Sequence, residues 1–202
     1  MSASERAYQD VKARILDGSL PGGDLISEGE IAEALGMSRT PVRAAFGQLE
    51  AEGLLRLYPK RGALVVPVSA SETEAVMETR WVIERYAIER VIERPGDVPA
   101  RLAESVATQE GLEGADFVEA DRAFHRTLVA GTGNEILLGL YDSLRDRQRR
   151  MAHATARRAE IRERTMREHG ELADAIAAGN SALALQTLRL HLDNALDTIR
   201  GR

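Results

Sequence analysis

Apolar residues recur at helical spacing over residues 4–18, where Tyr8, Val11, Ile15 and Leu16 share one face before Gly18 and Pro21-Gly22-Gly23 interrupt the pattern. A shorter helix is predicted over 28–35, with Ser27 suited to its N-cap, Glu28 and Glu30 in its first turn and Gly36 at its end. A third helix begins at Ser38 or at Thr40, the second choice placing Pro41 at the favoured first helical position. Val42, Ala45, Phe46 and Leu49 continue it, and Gly53 closes it. The pattern then changes. Two short apolar runs, 54–58 and 63–67, are joined by Pro59-Lys60-Arg61-Gly62, which predicts a β-hairpin with a basic tip. Three short helices followed by a basic hairpin predict a winged helix-turn-helix over residues 1–67.

Residues 68–70 read as a compact linker, and Ser71 with Glu74 forms a capping-box pattern for the next helix. Helical periodicity then covers 71–94, 98–112, 115–130, 134–158, 160–178 and 181–200. The breaks fall at Pro95-Gly96, Gly111–Gly114, Gly131-Thr132-Gly133 and Gly179-Asn180. Six helices with short connections predict an antiparallel all-α bundle over 71–202. The expected fold is therefore mainly α, with a small β-hairpin confined to the N-terminal domain.

At 202 residues the chain suits one large domain or two small ones. Its 44% hydrophobic content and mean hydropathy of −0.28 match a globular protein rather than a disordered one. The absence of cysteine excludes disulfides, thiolate catalysis and cysteine-based zinc sites. The N-terminus lacks the apolar stretch of a signal peptide, and no apolar run is long enough for a membrane span, so a cytoplasmic protein without membrane partners is expected.

The net charge of −5 is unpromising for nucleic-acid binding until its distribution is considered. Residues 5–35 are acidic, with a local net charge of −4. Residues 38–62 carry Arg39, Arg43, Arg56, Lys60 and Arg61 against Glu50 and Glu52, a local net charge of +3. The positive charge thus falls on the third helix and the hairpin. A helix entering the major groove presents its N-terminal residues to base edges and phosphates. Arg39 and Arg43 lie four apart on the face opposite Phe46 and Leu49, where arginine can pair bidentately with guanine. Ser38 and Thr40 suit phosphate oxygens, and Lys60, Arg61 and Gly62 at the hairpin tip suit the DNA backbone or minor groove.

The second half offers a different chemistry. Asp121 and His125 are one helical turn apart. His169 and His191 stand equidistant from the turn at Gly179-Asn180, so an antiparallel hairpin brings them to one level. All border apolar stripes, and imidazoles facing a core need protons, partners or a cation. The set predicts a divalent transition-metal site; Zn, Ni, Mn and Fe all remain open, and histidine-rich ligation disfavours Mg or Ca. His153, among arginines, is expected at the surface and outside the set.

The N-terminal pattern Leu20-Pro21-Gly22, Glu28, Ile31-Ala32, Leu35-Gly36-Met37-Ser38-Arg39-Thr40-Pro41-Val42-Arg43, Leu49-Glu50-Ala51-Glu52-Gly53-Leu54 and Arg61-Gly62-Ala63 resembles the GntR family of bacterial transcription regulators. The resemblance implicates Arg39, Thr40, Arg43 and Gly62 in operator contact. Two positions depart from the family pattern: Gly29 stands where relatives often carry an arginine, and Ala44 where Arg-Glu is usual. Arg80-Trp81-Val82-Ile83-Glu84, Asp121-Arg122-Ala123-Phe124-His125, Gly133-Asn134, Glu168-His169 and His191-Leu192 resemble the FCD effector domain of the FadR-type branch, its six-helix VanR-like members in particular. That resemblance implies a metal held by Asp121, His125, His169 and His191. It also implies a small carboxylate effector on the metal, with Arg80 and Asn134 at the effector site. Arg80 has an alternative partner in Glu84, one turn further on.

The expected function is a homodimeric, ligand-responsive regulator, a repressor in the commoner family arrangement. It would bind near-palindromic double-stranded operator DNA and respond to a small organic acid. Two alternatives use the same cluster: a metalloenzyme, for which Glu168 is the only neighbouring candidate base, and a metal-sensing regulator with no organic effector.

Overall fold

The computed structural model describes residues 1–152 and 158–200, and its contacts divide the chain into two units, Met1–Ser69 and Ala70–Arg202. The expectation for His153 lies outside the described residues.

The first unit runs α1 (Ala3–Leu16), β1 (Leu25–Ile26), α2 (Glu28–Ala34), α3 (Arg39–Ala51), β2 (Leu55–Tyr58) and β3 (Gly62–Val65). Capping boxes start two of the helices: Ser2 with Glu5 on α1, and Ser27 with Glu30 on α2. Ser38, rather than Thr40, is the backbone N-cap of α3, so Pro41 lies within the first turn, where a missing N–H costs no helical bond. Ala7, Val11 and Ile15 of α1 meet Val42, Ala45, Phe46 and Leu49 of α3 in one buried cluster. Lys12 and Tyr8 both reach Glu52, at 2.9 and 2.5 Å, and tie the middle of α1 to the C-terminal end of α3.

The hairpin is part of a three-stranded antiparallel sheet of order β1-β3-β2. β2 pairs with β3 from Leu55↔Val65 to Tyr58↔Gly62, and β1 adds Leu25↔Leu64 and Ile26↔Ala63. A two-residue strand has no periodicity to detect, so β1 emerges only through pairing with a strand nearly forty residues later. Gly62 makes that pairing feasible: its φ is +101°, and a Cβ there would stand 2.4 Å from the Ile26 carbonyl oxygen. Lys60, in the turn, is also left-handed, at φ 63°.

The second unit has no strand among its described residues and runs α4 (Ala70–Glu93), α5 (Val98–Ala107), α6 (Gly114–Ala130), α7 (Glu135–Ser143), α8 (Arg145–Ala152), α9 (Ala159–Ala177) and α10 (Ser181–Ile199). α4 already includes Ala70, one residue before the Ser71 expected to cap it. Ile83, Ile88, Leu102, Phe124, Leu128, Leu172, Ile176 and Leu188 form its core. α9 and α10 form a hairpin whose turn ends on Asn180, whose side chain accepts from Leu183 N–H at 3.1 Å.

One expectation is corrected. The single helix predicted over 134–158 is two helices, separated at Leu144, so the described residues of this unit hold seven helices rather than six. Tyr141 and Met151 are both buried, at 1% and 3% exposure. On a continuous helix they would point about 80° apart, within one apolar stripe, which is why the pattern reads as a single helix.

Candidate functional site

α6, α9 and α10 each contribute one buried histidine to a common point. His125 and His191 approach Nε2 to Nε2 at 3.1 Å, and His169 Nε2 lies 3.2 Å from His125 Nε2. Asp121 Oδ1 stands 3.5 Å from His169 Nε2. The four candidate ligand atoms, of Asp121, His125, His169 and His191, all fall within 4.8 Å of one another. The helices fold this way because each histidine borders an apolar stripe; Phe124, next to His125, stacks on the His169 ring at 4.2 Å between centroids.

The opposite edge of each ring meets an acceptor. His169 Nδ1 lies 2.9 Å from Gln109 Oε1, and His191 Nδ1 lies 2.8 Å from Glu168 Oε2. His125 Nδ1 is 2.7 Å from Glu84 Oε2, a charge contact rather than an aligned hydrogen bond. Acceptors at Nδ1 place the ring protons there and turn the Nε2 lone pairs towards one another. Burial pushes His169 well below the ordinary histidine range, and the neighbouring His191, His125 and Arg80 add to the effect. Burial likewise lowers His125, overriding the opposing pull of Glu84. Neutral imidazoles with converging lone pairs repel unless a cation or a shared proton lies between them. The donor set, three nitrogens and one carboxylate oxygen, fits a transition metal.

Glu84 and Arg80 support the cluster from α4. Arg80 donates from Nε to Glu84 Oε1 at 2.7 Å, and Tyr141 donates its hydroxyl to the same oxygen at 3.2 Å. Burial alone would favour neutral forms, but the mutual attraction holds Glu84 far below the usual carboxylate range and Arg80 far above the usual guanidinium range. Burial, with the Glu84 charge beside it, raises the Tyr141 hydroxyl. The pairing of Arg80 with Glu84 leaves Arg80 Nη2 buried and without a partner. Arg80, Asp121, His125 and His191 all line a cavity of about 70 Å³ within this unit.

Asn134 lies apart from that cavity. Its side-chain oxygen accepts from Ile136 and Leu137 N–H, both at 3.1 Å, and so caps α7. Sequence reasoning missed the full roles of three residues. Glu84 was visible as a partner for Arg80, and Glu168 as a neighbour of His169, but their contacts with His125 and His191 were not. Gln109 is sixty residues from His169 and gave no local signal.

In the first unit Ser38, Arg39, Thr40, Arg43, Lys60 and Arg61 are exposed, and Gly62 is half-buried. The Ser38 hydroxyl makes no capping bond. Arg43 grips Glu28 bidentately, Nε to Oε1 at 3.0 Å and Nη2 to Oε2 at 2.9 Å, and this hydrogen bonding lowers the Glu28 carboxyl. Glu28, read from sequence only as a favourable first-turn acid, thus orients one of the two arginines. The Arg39 guanidinium lies over Gly29: a Cβ at Gly29 would stand 3.2 Å from Arg39 Nη2.

Comparison with known proteins agrees with both halves. The description "Bacterial regulatory proteins, gntR family" matches residues 3–65, and "FCD domain" matches residues 75–194. The chain belongs to the GntR family of bacterial regulators, in its FCD-domain branch. It is 24% identical over 211 residues to the gluconate operon transcriptional repressor of Bacillus subtilis (strain 168), covering 98% of this chain and 85% of that one. It is 36% identical over 132 residues to an HTH-type transcriptional regulator of Agrobacterium vitis, covering 61% of this chain and 77% of that one. Among solved structures, a GntR transcriptional regulator from Rhodococcus sp. RHA1 superposes with a TM-score of 0.75 at 26% identity, covering 100% of this chain and 99% of that one. The protein is a DNA-binding transcriptional regulator, and the metalloenzyme alternative is set aside, because this family regulates transcription and an enzyme would leave the winged domain without a role.

Proposed function

We propose that this regulator is a homodimeric, metal-dependent repressor that releases operator DNA when a small organic acid binds in the FCD domain. The observation that carries the reading is the convergence of three histidine Nε2 atoms, with Nδ1 of each facing Gln109, Glu84 or Glu168. Asp121, His125, His169 and His191 would hold Zn, Ni, Mn or Fe, which would offer an open position to a carboxylate oxygen. Arg80 Nη2, buried in the cavity wall, would take another oxygen of that acid.

On DNA, α3 enters the major groove, with Arg39 and Arg43 towards base edges and Ser38 and Thr40 towards phosphates. Lys60 and Arg61 carry the hairpin tip to the neighbouring backbone, while Gly62 gives the tip its shape. A two-fold dimer reads a near-palindromic site. Repression follows the arrangement named for the Bacillus relative. An effector changes DNA affinity only through different affinities for the two states of the protein.

The test is metal analysis of purified protein, followed by titration of its own upstream DNA with the metal defined and a panel of organic acids added. Light scattering gives the oligomeric state. Operator affinity insensitive to every acid, but tracking free metal, would establish the metal-sensing alternative. Protein that binds no transition metal at micromolar concentration would sink the proposal.

A further inference from the structure

The cavity beside the histidines has a second cationic end that the carboxylate subsite does not use. Arg164 is on α9, four residues before Glu168 and about 6 Å along the helix axis from it. Arg164 Nη2 donates to Thr198 Oγ1 at 2.9 Å, which places this end beside the last turn of α10. Its Nε is buried and has no hydrogen-bond partner, although Glu168 Oε1 lies 3.7 Å away. Gln148 and Arg149 of α8 line the same cavity. Among the described residues no ion pair or hydrogen bond engages Arg149, and Gln148 Oε1 is buried without an acceptor's partner.

The remaining charges in the lining are more fully engaged. Arg122 bonds Glu119 and Asp142 through its two terminal nitrogens, at 3.0 and 2.9 Å, and keeps only its Nε unpartnered. Asp121 belongs to the histidine cluster, and Glu168 is held by His191 at 2.8 Å and by Asn194 at 2.6 Å. An uncompensated guanidinium and a half-compensated one therefore face a small cavity whose other end has an unpartnered Arg80 nitrogen. Buried donors left unpaired are costly, and a ligand with a complementary anion removes that cost.

We infer that the effector is a two-ended anion, a short dicarboxylate, with one carboxylate at the histidine cluster and Arg80 and the other at Arg164 and Arg149. The inference rests on the effector reading above. Arg164 stands one helical turn from Glu168, whose other carboxylate oxygen holds His191, and that spacing puts the two ends within reach of an acid of roughly four or five carbons. The uncharged Gln148 side chain tolerates a hydroxyl on that backbone, through its free oxygen.

Isothermal titration of the full, metal-loaded chain with butanedioate and with butanoate at one ionic strength tests it. Butanedioate is expected to bind at least about tenfold more tightly. Arg149→Ala, at a residue with no partner to lose, should erase most of that preference while leaving butanoate affinity unchanged. Arg164→Gln should do the same, and circular dichroism checks that its helix is intact. Metal-dependent binding of both acids with equal affinity would overturn the dicarboxylate inference and leave the effector reading standing. A preference for butanedioate that survives in both variants would also overturn the inference. Binding of neither acid would overturn the inference and leave the effector reading to the panel of acids, whereas binding unaffected by removing the metal would overturn both.

Discussion

Glu168 Oε2 holds His191 Nδ1 at 2.8 Å while Asn194 secures the other carboxylate oxygen at 2.6 Å. The pair is buried, and although burial opposes ionisation, the hydrogen bonds from His191 and Asn194 keep the Glu168 carboxyl below its ordinary range. One ring edge is thus fixed by a carboxylate and the other is presented to His125. The same logic applies to His169 through Gln109.

Gln109→Leu preserves bulk and removes the acceptor that orients His169. Metal affinity should fall about 10–100-fold with the helical content intact. Competition against a chromophoric chelator, alongside circular dichroism, measures both. An unchanged metal affinity would show that Gln109 does not orient the ring.

Arg43→Ala should lose about 1–3 kcal/mol of discrimination between operator and random DNA. The variant also frees Glu28, whose exposed partner contributes little to stability. Fluorescence anisotropy with both DNA types, and a thermal melt, separate the two effects.

Gly29→Ala puts a Cβ 3.2 Å from Arg39 Nη2, a contact that an exposed arginine relieves by moving. Its position within α2 favours alanine by up to about 1 kcal/mol. Stability should therefore hold or rise while base preference opposite Arg39 shifts. Selection from a randomised DNA pool reads that preference, and an identical selected motif would show that Gly29 does not shape it.

Gly131→Ala meets a crowded interior, with Val98 Cγ2 at 2.7 Å and Val91 Cγ2 at 2.9 Å from the new atom. The overpacking should cost about 1–3 kcal/mol. Urea unfolding of the variant measures it; no change in midpoint would mean that the α6 end can yield freely.

The metal-stripped protein should weaken in mild acid. His125 and His169 are depressed in the folded state, so the unfolded chain binds protons first as the pH falls. Their contribution is complete above the ordinary value of 6.5 and is lost progressively below it, as the pH falls towards the lowered folded values. Melting temperature against pH should decline through that range, and His169→Gln should flatten the curve.

Much of this architecture is legible in the residue pattern. Ser27 does cap α2, and Phe46 and Leu49 do face the interior of the winged unit. The one-turn spacing of Asp121 and His125 and the common level of His169 and His191 are local consequences, since helical rise and a short turn leave few alternatives; that His125 meets the other two depends on the packing of α6. The division at Leu144 was not legible, because Tyr141 and Met151 satisfy helical periodicity on either side of it. Asn134 reads equally well as a polar site residue or a cap until its two backbone donors are seen.

The succession of a winged unit and a helical unit, the exposed arginines of α3 and the residue types of the candidate metal site were thus determined by sequence, through periodicity, capping and spacing that act within a few residues. Tertiary structure alone decided that Glu28 orients Arg43, that Gln109 meets His169 and that Arg80 keeps one nitrogen free while pairing Glu84. These contacts join helices or loops distant along the chain, or depend on which face of a helix is buried. Hydrogen-bond direction and desolvation take effect only once those faces have been brought together.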